Sequence, residues 1–213
     1  MKPKISIIVP TRDNRFICQV KEDLSKQTFK DFELIVMDSN GPVSMKRNKG
    51  VKQAKGEWIV FIDDDVRLPP DWLKQLLQNS DKDIIVTGSV MTIYPFGLLT
   101  HSTSCNCIFH KSKFVPFDES FKYAAHEDKD WFFRMDGTKV VPTAVIYHMD
   151  QQKCSMKKNF IFGMESVKLH KRWGERHQIS RVAYYGVRNA FIDIAGTIGV
   201  AYGILKYRVF GCR

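Results

Sequence analysis

In the first half of the chain, short apolar runs alternate with longer amphipathic stretches. Ile5-Ser6-Ile7-Ile8-Val9, stopped by Pro10, predicts a buried first strand. The polar loop Thr11-Arg12-Asp13-Asn14 follows at its C-terminal end. A helix is predicted from about Phe16 to Lys26, burying Val20 and Leu24. Asp31 to Met37 predicts a second strand, closed by the turn formers Asp38-Ser39-Asn40-Gly41. A basic helix begins at Ser44 and runs to about Lys55, with Gly56 as its expected C-cap. Trp58-Ile59-Val60-Phe61-Ile62 is apolar throughout and predicts a third strand, covered on both faces. Strand, helix, strand, helix, strand is the order of a mostly parallel sheet with right-handed crossovers, an α/β architecture. Pro69-Pro70-Asp71-Trp72 opens a further helix with Leu73, Leu76 and Leu77 on one face. Asp83 to Gly88 predicts the next strand.

From Ser89 the pattern loosens. Cys105, Cys107 and Phe109 alternate with Asn106, Ile108 and His110, which predicts a strand. Trp131 to Arg134 begins a helix with Glu127, Asp128 and Asp130 at its N-terminal end, and Gly137 closes it. Lys139-Val140-Val141 and Ala144-Val145-Ile146-Tyr147 are short strands around Pro142 that deliver His148 to an edge. Beyond Asp150 the composition changes, dividing the chain into a domain at 1–150 and a basic, partly apolar helical extension at 151–213. Lys153 to His177 interleaves basic and aromatic residues. Val182 to Leu205 is largely apolar, but its longest uncharged run, Ile194 to Leu205, is too short to span a bilayer. Gly196, Gly199 and Gly203 suit a soluble helix poorly, so residues 182–213 are expected to make peripheral, in-plane membrane contact rather than to cover the core.

Composition and charge narrow this picture. An apolar fraction of 44% argues for a folded chain. A net charge of +10 favours anionic partners: nucleotide phosphates, anionic lipid headgroups or nucleic acid. The five cysteines are odd in number and irregularly spaced, and no secretory signal opens the chain, so a cytoplasmic setting is expected, peripheral to the membrane face. His101, Cys105, Cys107 and His110 match no common zinc spacing, and a plain strand is the preferred reading there. Asp63-Asp64-Asp65 places three carboxylates directly after a buried strand. Such a cluster either binds a hard cation such as Mg²⁺ or Mn²⁺ or forms a solvated turn before Leu68-Pro69-Pro70. The acidic residues at 127–130 are equally open to simple helix capping. A phosphatase of the haloacid dehalogenase class also ends a strand in Asp-x-Asp, but Arg67 stands where that class wants Thr or Val. A non-catalytic basic module for nucleic acid or membranes leaves both acidic clusters unexplained.

A family resemblance enters on the ordered set of these motifs. Ser6-Ile7-Ile8-Val9-Pro10-Thr11, Gln27-Thr28-Phe29, Phe32 to Asp38, Arg47-Asn48-Lys49-Gly50, and Ala54 through Asp65 resemble the nucleotide-binding half of family-two inverting glycosyltransferases of GT-A fold. Phe117-Asp118-Glu119-Ser120-Phe121 and Glu127-Asp128 are similar to the acceptor half. The resemblance implies a donor half at 1–88 and an acceptor half at 89–150. It implies sugar transfer from a nucleotide sugar to a glycan, lipid-linked or protein acceptor, with no nucleic-acid partner. It implies Mn²⁺ or Mg²⁺ held by Asp65, Asp63 and His148, and donor contacts from Pro10, Thr11, Arg12, Asp13, Asp38, Arg47, Asp63 and Asp64. Asp128, with Glu127 next, is the implied catalytic base. Ser39 stands where many members carry a second acidic residue. Lys171-Arg172-Trp173 is similar to the Arg-Trp of processive polysaccharide synthases, but Leu169 replaces their glutamine, so a non-processive enzyme is expected.

Overall fold

The computed structural model describes residues 2–12, 16–92, 97–99, 103–123, 125–135, 137–149, 156–173 and 198. The expected anchor at 182–213 lies outside them apart from that last position, as does Asp13. The chain forms two compact units. One comprises Met1–Lys122 with Trp131–Gln152, the other Tyr123–Asp130 with Lys153–Arg213. Residues 123–130 go with the C-terminal unit.

The first unit is built on a sheet of β1 (Ile5–Pro10), β2 (Phe32–Met37), β3 (Trp58–Ile62), β4 (Val66–Arg67), β5 (Ile85–Thr92), β6 (Gly97–Leu99), β7 (Asn106–His110) and β8 (Thr138–His148). Their order is β2-β1-β3-β7-β5-β8-β4, with β6 beside β5. The expected parallel pairing holds for β2, β1 and β3. Beyond them β7 enters antiparallel to both β3 and β5, so the sheet is mixed. Alternation along the strands sorts side chains into two cores. Ile5, Ile7, Val9, Trp58, Val60 and Ile62 face Val20 and Leu24 of α1 (Ile17–Ser25) and Trp72, Leu73 and Leu76 of α3 (Trp72–Gln78). Ile8, Ile59, Phe61, Cys107 and Phe109 face Val51 of α2 (Val43–Gln53) and Trp131 and Met135 of α4 (Glu127–Met135). Burial on both faces is why these strands are continuously apolar.

Several local expectations are corrected by packing. Helix α2 caps at Ala54, not Gly56. Gly56 instead lets two backbones meet: its N–H donates to Ser6 Oγ at 2.8 Å, and a Cβ there would lie 2.6 Å from Ser6 N. Cys105 precedes β7 and packs on the α1/α3 side while Cys107 packs on the other, so the two thiols do not share a face. The two short strands expected around Pro142 are one strand, β8. Its pairing with β5 shifts register between Gly88 and Val90, which absorbs the missing proline N–H. Asn106 secures that irregularity. Its Nδ2 donates to Ser89 O at 2.8 Å and Ala144 O at 2.9 Å, and its Oδ1 accepts from Trp72 Nε1 at 2.8 Å.

In the second unit, residues 127–130 form the first turn of α4, so the acidic residues stand inside the helix rather than before it. Helix α5 (Met156–Trp173) supplies the basic aromatic stretch. Among the described residues no helix is long and apolar enough to cross a membrane.

Candidate metal and donor site

Parallel strands end on one edge of their sheet, and β1, β2 and β3 there deliver Thr11, Asp38 and Asp63. The Thr11 N–H donates to Met37 O at 3.0 Å, extending the β1–β2 ladder to its last residue. Pro10 is the buried end of β1. After Asp63-Asp64-Asp65 the chain returns as β4, which pairs with the far end of β8, Val66 opposite His148. The Met149 N–H donates to Asp65 O at 2.8 Å and closes the turn. This pairing brings His148 to the acidic turn. Its Nε2 lies 3.4 Å from Asp65 Oδ1 and 3.9 Å from Asp63 Oδ2. Donor atoms of Asp63, Asp65 and His148 all lie within 4.8 Å of one another. Two carboxylates and an imidazole, half-buried on a rigid strand end, suit a hard or borderline divalent cation.

Counter-charge comes from α2. Arg47 is buried, its guanidinium packed over Phe61 at 5.7 Å and Phe117 at 5.4 Å. Its Nη2 donates to Asp63 Oδ1 at 3.0 Å. Burial works against the Asp63 carboxylate, but the hydrogen bond from His148 and the charges of Arg47 and His148 outweigh it, so its pKa lies below the ordinary value. Asp64 accepts the Thr11 hydroxyl in a short hydrogen bond. Beside it, Lys46 is buried, and its Nζ donates to Thr11 O at 2.5 Å. Burial and the charge of Arg12 lower its pKa, while Asp64 and Asp38 pull the other way. Asn48 joins two motifs distant in sequence: its amide donates to Phe117 O at 3.0 Å and Glu119 Oε1 at 2.9 Å and accepts from Phe117 N at 2.8 Å.

The structure therefore brings together Asp63, Asp65, His148 and Arg47, and alongside them Asp64, Thr11 and Lys46. Asp38 and Arg12 are exposed. Arg47, expected among the donor contacts, donates to Asp63. Lys46 was not singled out from the sequence, because a basic helix reads as a solvated one. The signal available was the pair of carboxylates at Asp38 and Asp64, which call for a nearby cation. In the second unit, Glu127 is buried and Asp128 half-buried on the first turn of α4, where Asp128 Oδ1 accepts from the Lys129 N–H at 2.8 Å.

Comparison with known proteins bears on this geometry. Residues 40–148 match the family described as Glycosyl transferase family 2. The chain is 28% identical over 109 residues to the GalNAc(5)-diNAcBac-PP-undecaprenol beta-1,3-glucosyltransferase of Campylobacter jejuni, covering 38% of this chain and 35% of that protein. It is 24% identical over 143 residues to an uncharacterized glycosyltransferase of Haemophilus influenzae, covering 56% of this chain and 42% of that one. The chain spans less than half the length of these curated relatives. Among solved structures it is similar to S. aureus TarS 1-349 in complex with UDP, with a TM-score of 0.57 at 15% identity, covering 97% of this chain and 72% of that one. That likeness shows the fold, the GT-A arrangement expected from the motifs.

Proposed function

Because the chain belongs to glycosyl transferase family 2, we propose that it moves a sugar from a nucleoside-diphosphate sugar to an acceptor hydroxyl, inverting the anomeric carbon, with Mn²⁺ or Mg²⁺ bound. The observation that carries this reading is the convergence of Asp63, Asp65 and His148 within 4.8 Å at the end of β3. Asp63, Asp65 and His148 would hold a divalent ion, which when bound would supply positive charge to the diphosphate leaving group. Arg47 serves the donor through Asp63, keeping that carboxylate ionised and aimed. Thr11 holds Asp64 by its hydroxyl while Lys46 holds the Thr11 carbonyl, and Asp64, Arg12 and Asp38 are the residues assigned to ribose and base. Asp128 accepts the acceptor's proton, with Glu127 as the second candidate. Both carboxylates stand in the first turn of α4, at the N-terminal end of the helix. The acceptor oxygen bonds to the anomeric carbon, the bond to the diphosphate oxygen breaks with its electron pair, and the hydroxyl proton passes to Asp128.

The undecaprenol diphosphate in the Campylobacter relative's name supports a lipid-linked acceptor for this chain too. Peripheral membrane contact through residues 182–213 would then bring enzyme and acceptor together. The test is a thermal-shift screen of nucleotide sugars, UDP-GlcNAc included, with and without Mn²⁺. A bound donor raises the melting temperature by mass action. Asp128→Asn is expected to abolish transfer yet keep the metal-dependent shift. If no nucleotide sugar shifts the protein with either metal, the transferase reading fails. If Asp128→Asn loses both properties, Asp128 is not the base.

A further inference from the structure

The first turn of α4 is gripped from both sides by α5, within the second unit. His126, immediately before Glu127, has a φ of 65°, the left-handed conformation that a non-glycine residue adopts only when its surroundings hold it. Its Nε2 lies 3.2 Å from Phe162 O, and its ring packs edge-on against the Phe162 ring at 5.2 Å. On the other side of the turn, Asp130 is fully buried and accepts two hydrogen bonds at the same oxygen. Arg172 Nη1 donates to Asp130 Oδ1 at 2.7 Å and Trp173 Nε1 donates to it at 2.9 Å. Helical side chains lean toward their helix's N-terminus, which lets the last two residues of α5 reach back onto one carboxylate. The Asp130 N–H donates to His126 O at 3.1 Å and closes the turn between the two grips. Glu127 and Asp128 lie between these two contacts on the same turn.

A buried carboxylate met by a guanidinium and an indole N–H is a costly device where stability alone is at stake, since apolar side chains of similar volume commonly serve as well. What it adds is a single defined orientation. We propose that Arg172 and Trp173, acting through Asp130, are positioning residues for the turn that carries the catalytic base, which makes α5 part of the catalytic apparatus. The proposal rests on the transferase reading and on Asp128 as base.

The experiment uses the full chain and the donor found by the screen. Trp173→Phe removes one N–H and keeps the ring; Arg172→Met removes the guanidinium; Arg172→Lys keeps a charged donor. For each, kcat, the donor KM and the Mn²⁺-dependent donor shift are measured. The expected result is a kcat lowered roughly 10- to 100-fold in Trp173→Phe and Arg172→Met, the scale of a misplaced catalytic group. Donor KM and thermal shift should stay as in the wild type, and Arg172→Lys should recover part of kcat. Unchanged kcat in both variants overturns the inference. So does a fall in kcat matched by a weaker donor shift or a higher donor KM, which would make the contact a general support of the fold. A wild-type protein that transfers no sugar defeats the transferase reading itself, whereas an active wild type with equally active variants defeats only the positioning role.

Discussion

The acidic turn is moored by an ion pair whose two halves are unequally buried, and that asymmetry makes a quantitative prediction. Asp23, on α1, accepts from Arg67 Nε at 2.7 Å, Arg67 Nη2 at 2.9 Å and the Leu68 N–H at 3.0 Å. Its side chain is 6% exposed, whereas that of Arg67 is 39% exposed. Arg67 is the second residue of β4, directly after the metal-site turn, so the pair ties that turn to α1. Replacing Arg67 by Met leaves a buried carboxylate with one of its three donors. Breaking a buried pair in this way costs about 3–5 kcal/mol. Partial solvent screening of Arg67 in the native pair lowers that to roughly 2–3 kcal/mol. Replacing Asp23 by Ala frees Arg67 to water and strands only the Leu68 N–H, at about 1–2 kcal/mol. Arg67→Met should therefore destabilise more than Asp23→Ala, and the double variant should cost less than the two together. The pH dependence has a fixed sign. Burial alone would raise the Asp23 pKa, but the hydrogen bonds from Arg67 and Leu68 and the Arg67 charge outweigh it and lower it. This contribution is present above the ordinary carboxylate range and lost as pH falls through the folded pKa. In Arg67→Met most of what lowers the pKa is gone while burial remains, so protonation relieves the strain. The stability gap between wild type and Arg67→Met should be widest at pH 7 and shrink toward pH 4. Urea titrations followed by tryptophan fluorescence at several pH values measure it. A gap that widens on acidification, or an Asp23→Ala cost exceeding that of Arg67→Met, would refute the reasoning.

Two further predictions concern the site and its scaffold. His148→Ala should leave the melting temperature of the ligand-free protein nearly unchanged and remove most of the Mn²⁺-dependent part of the donor shift. A variant that keeps the full Mn²⁺ response would exclude His148 as a ligand. Asn106→Leu should cost about 3 kcal/mol in urea denaturation, because the Trp72 indole N–H and the carbonyls of Ser89 and Ala144 lose a buried partner each. A cost below about 1 kcal/mol would mean that water replaces the amide.

What the sequence determined by itself was local. The apolar runs from Ile5 to Val9 and from Trp58 to Ile62 were enough for the strands, because a short apolar run bounded by polar and turn-forming residues is a property of contiguous residues. The same holds for the placement of Asp63 to Asp65 at a strand end and for the turn chemistry after Met37. The motif order pointed to the family by resemblance. The tertiary structure decided everything that depends on a partner far along the chain. Pairing of β4 with β8 places His148 against Asp65, and a two-residue strand carries too little pattern to announce that pairing. Antiparallel entry of β7 between β3 and β5 makes the sheet mixed, a choice of register and direction set by backbone hydrogen bonds that the alternation of Asn106 to His110 leaves open. Pro142 stays within β8 because Asn106 and the register shift opposite Gly88 absorb its missing donor. Lys46 and Arg47 turn inward on a helix that looks solvated, because the carboxylates they neutralise arrive from other strands. The grip of Arg172 and Trp173 on Asp130 has the same origin: each residue alone reads as surface chemistry, and only the fold gives the carboxylate its donors.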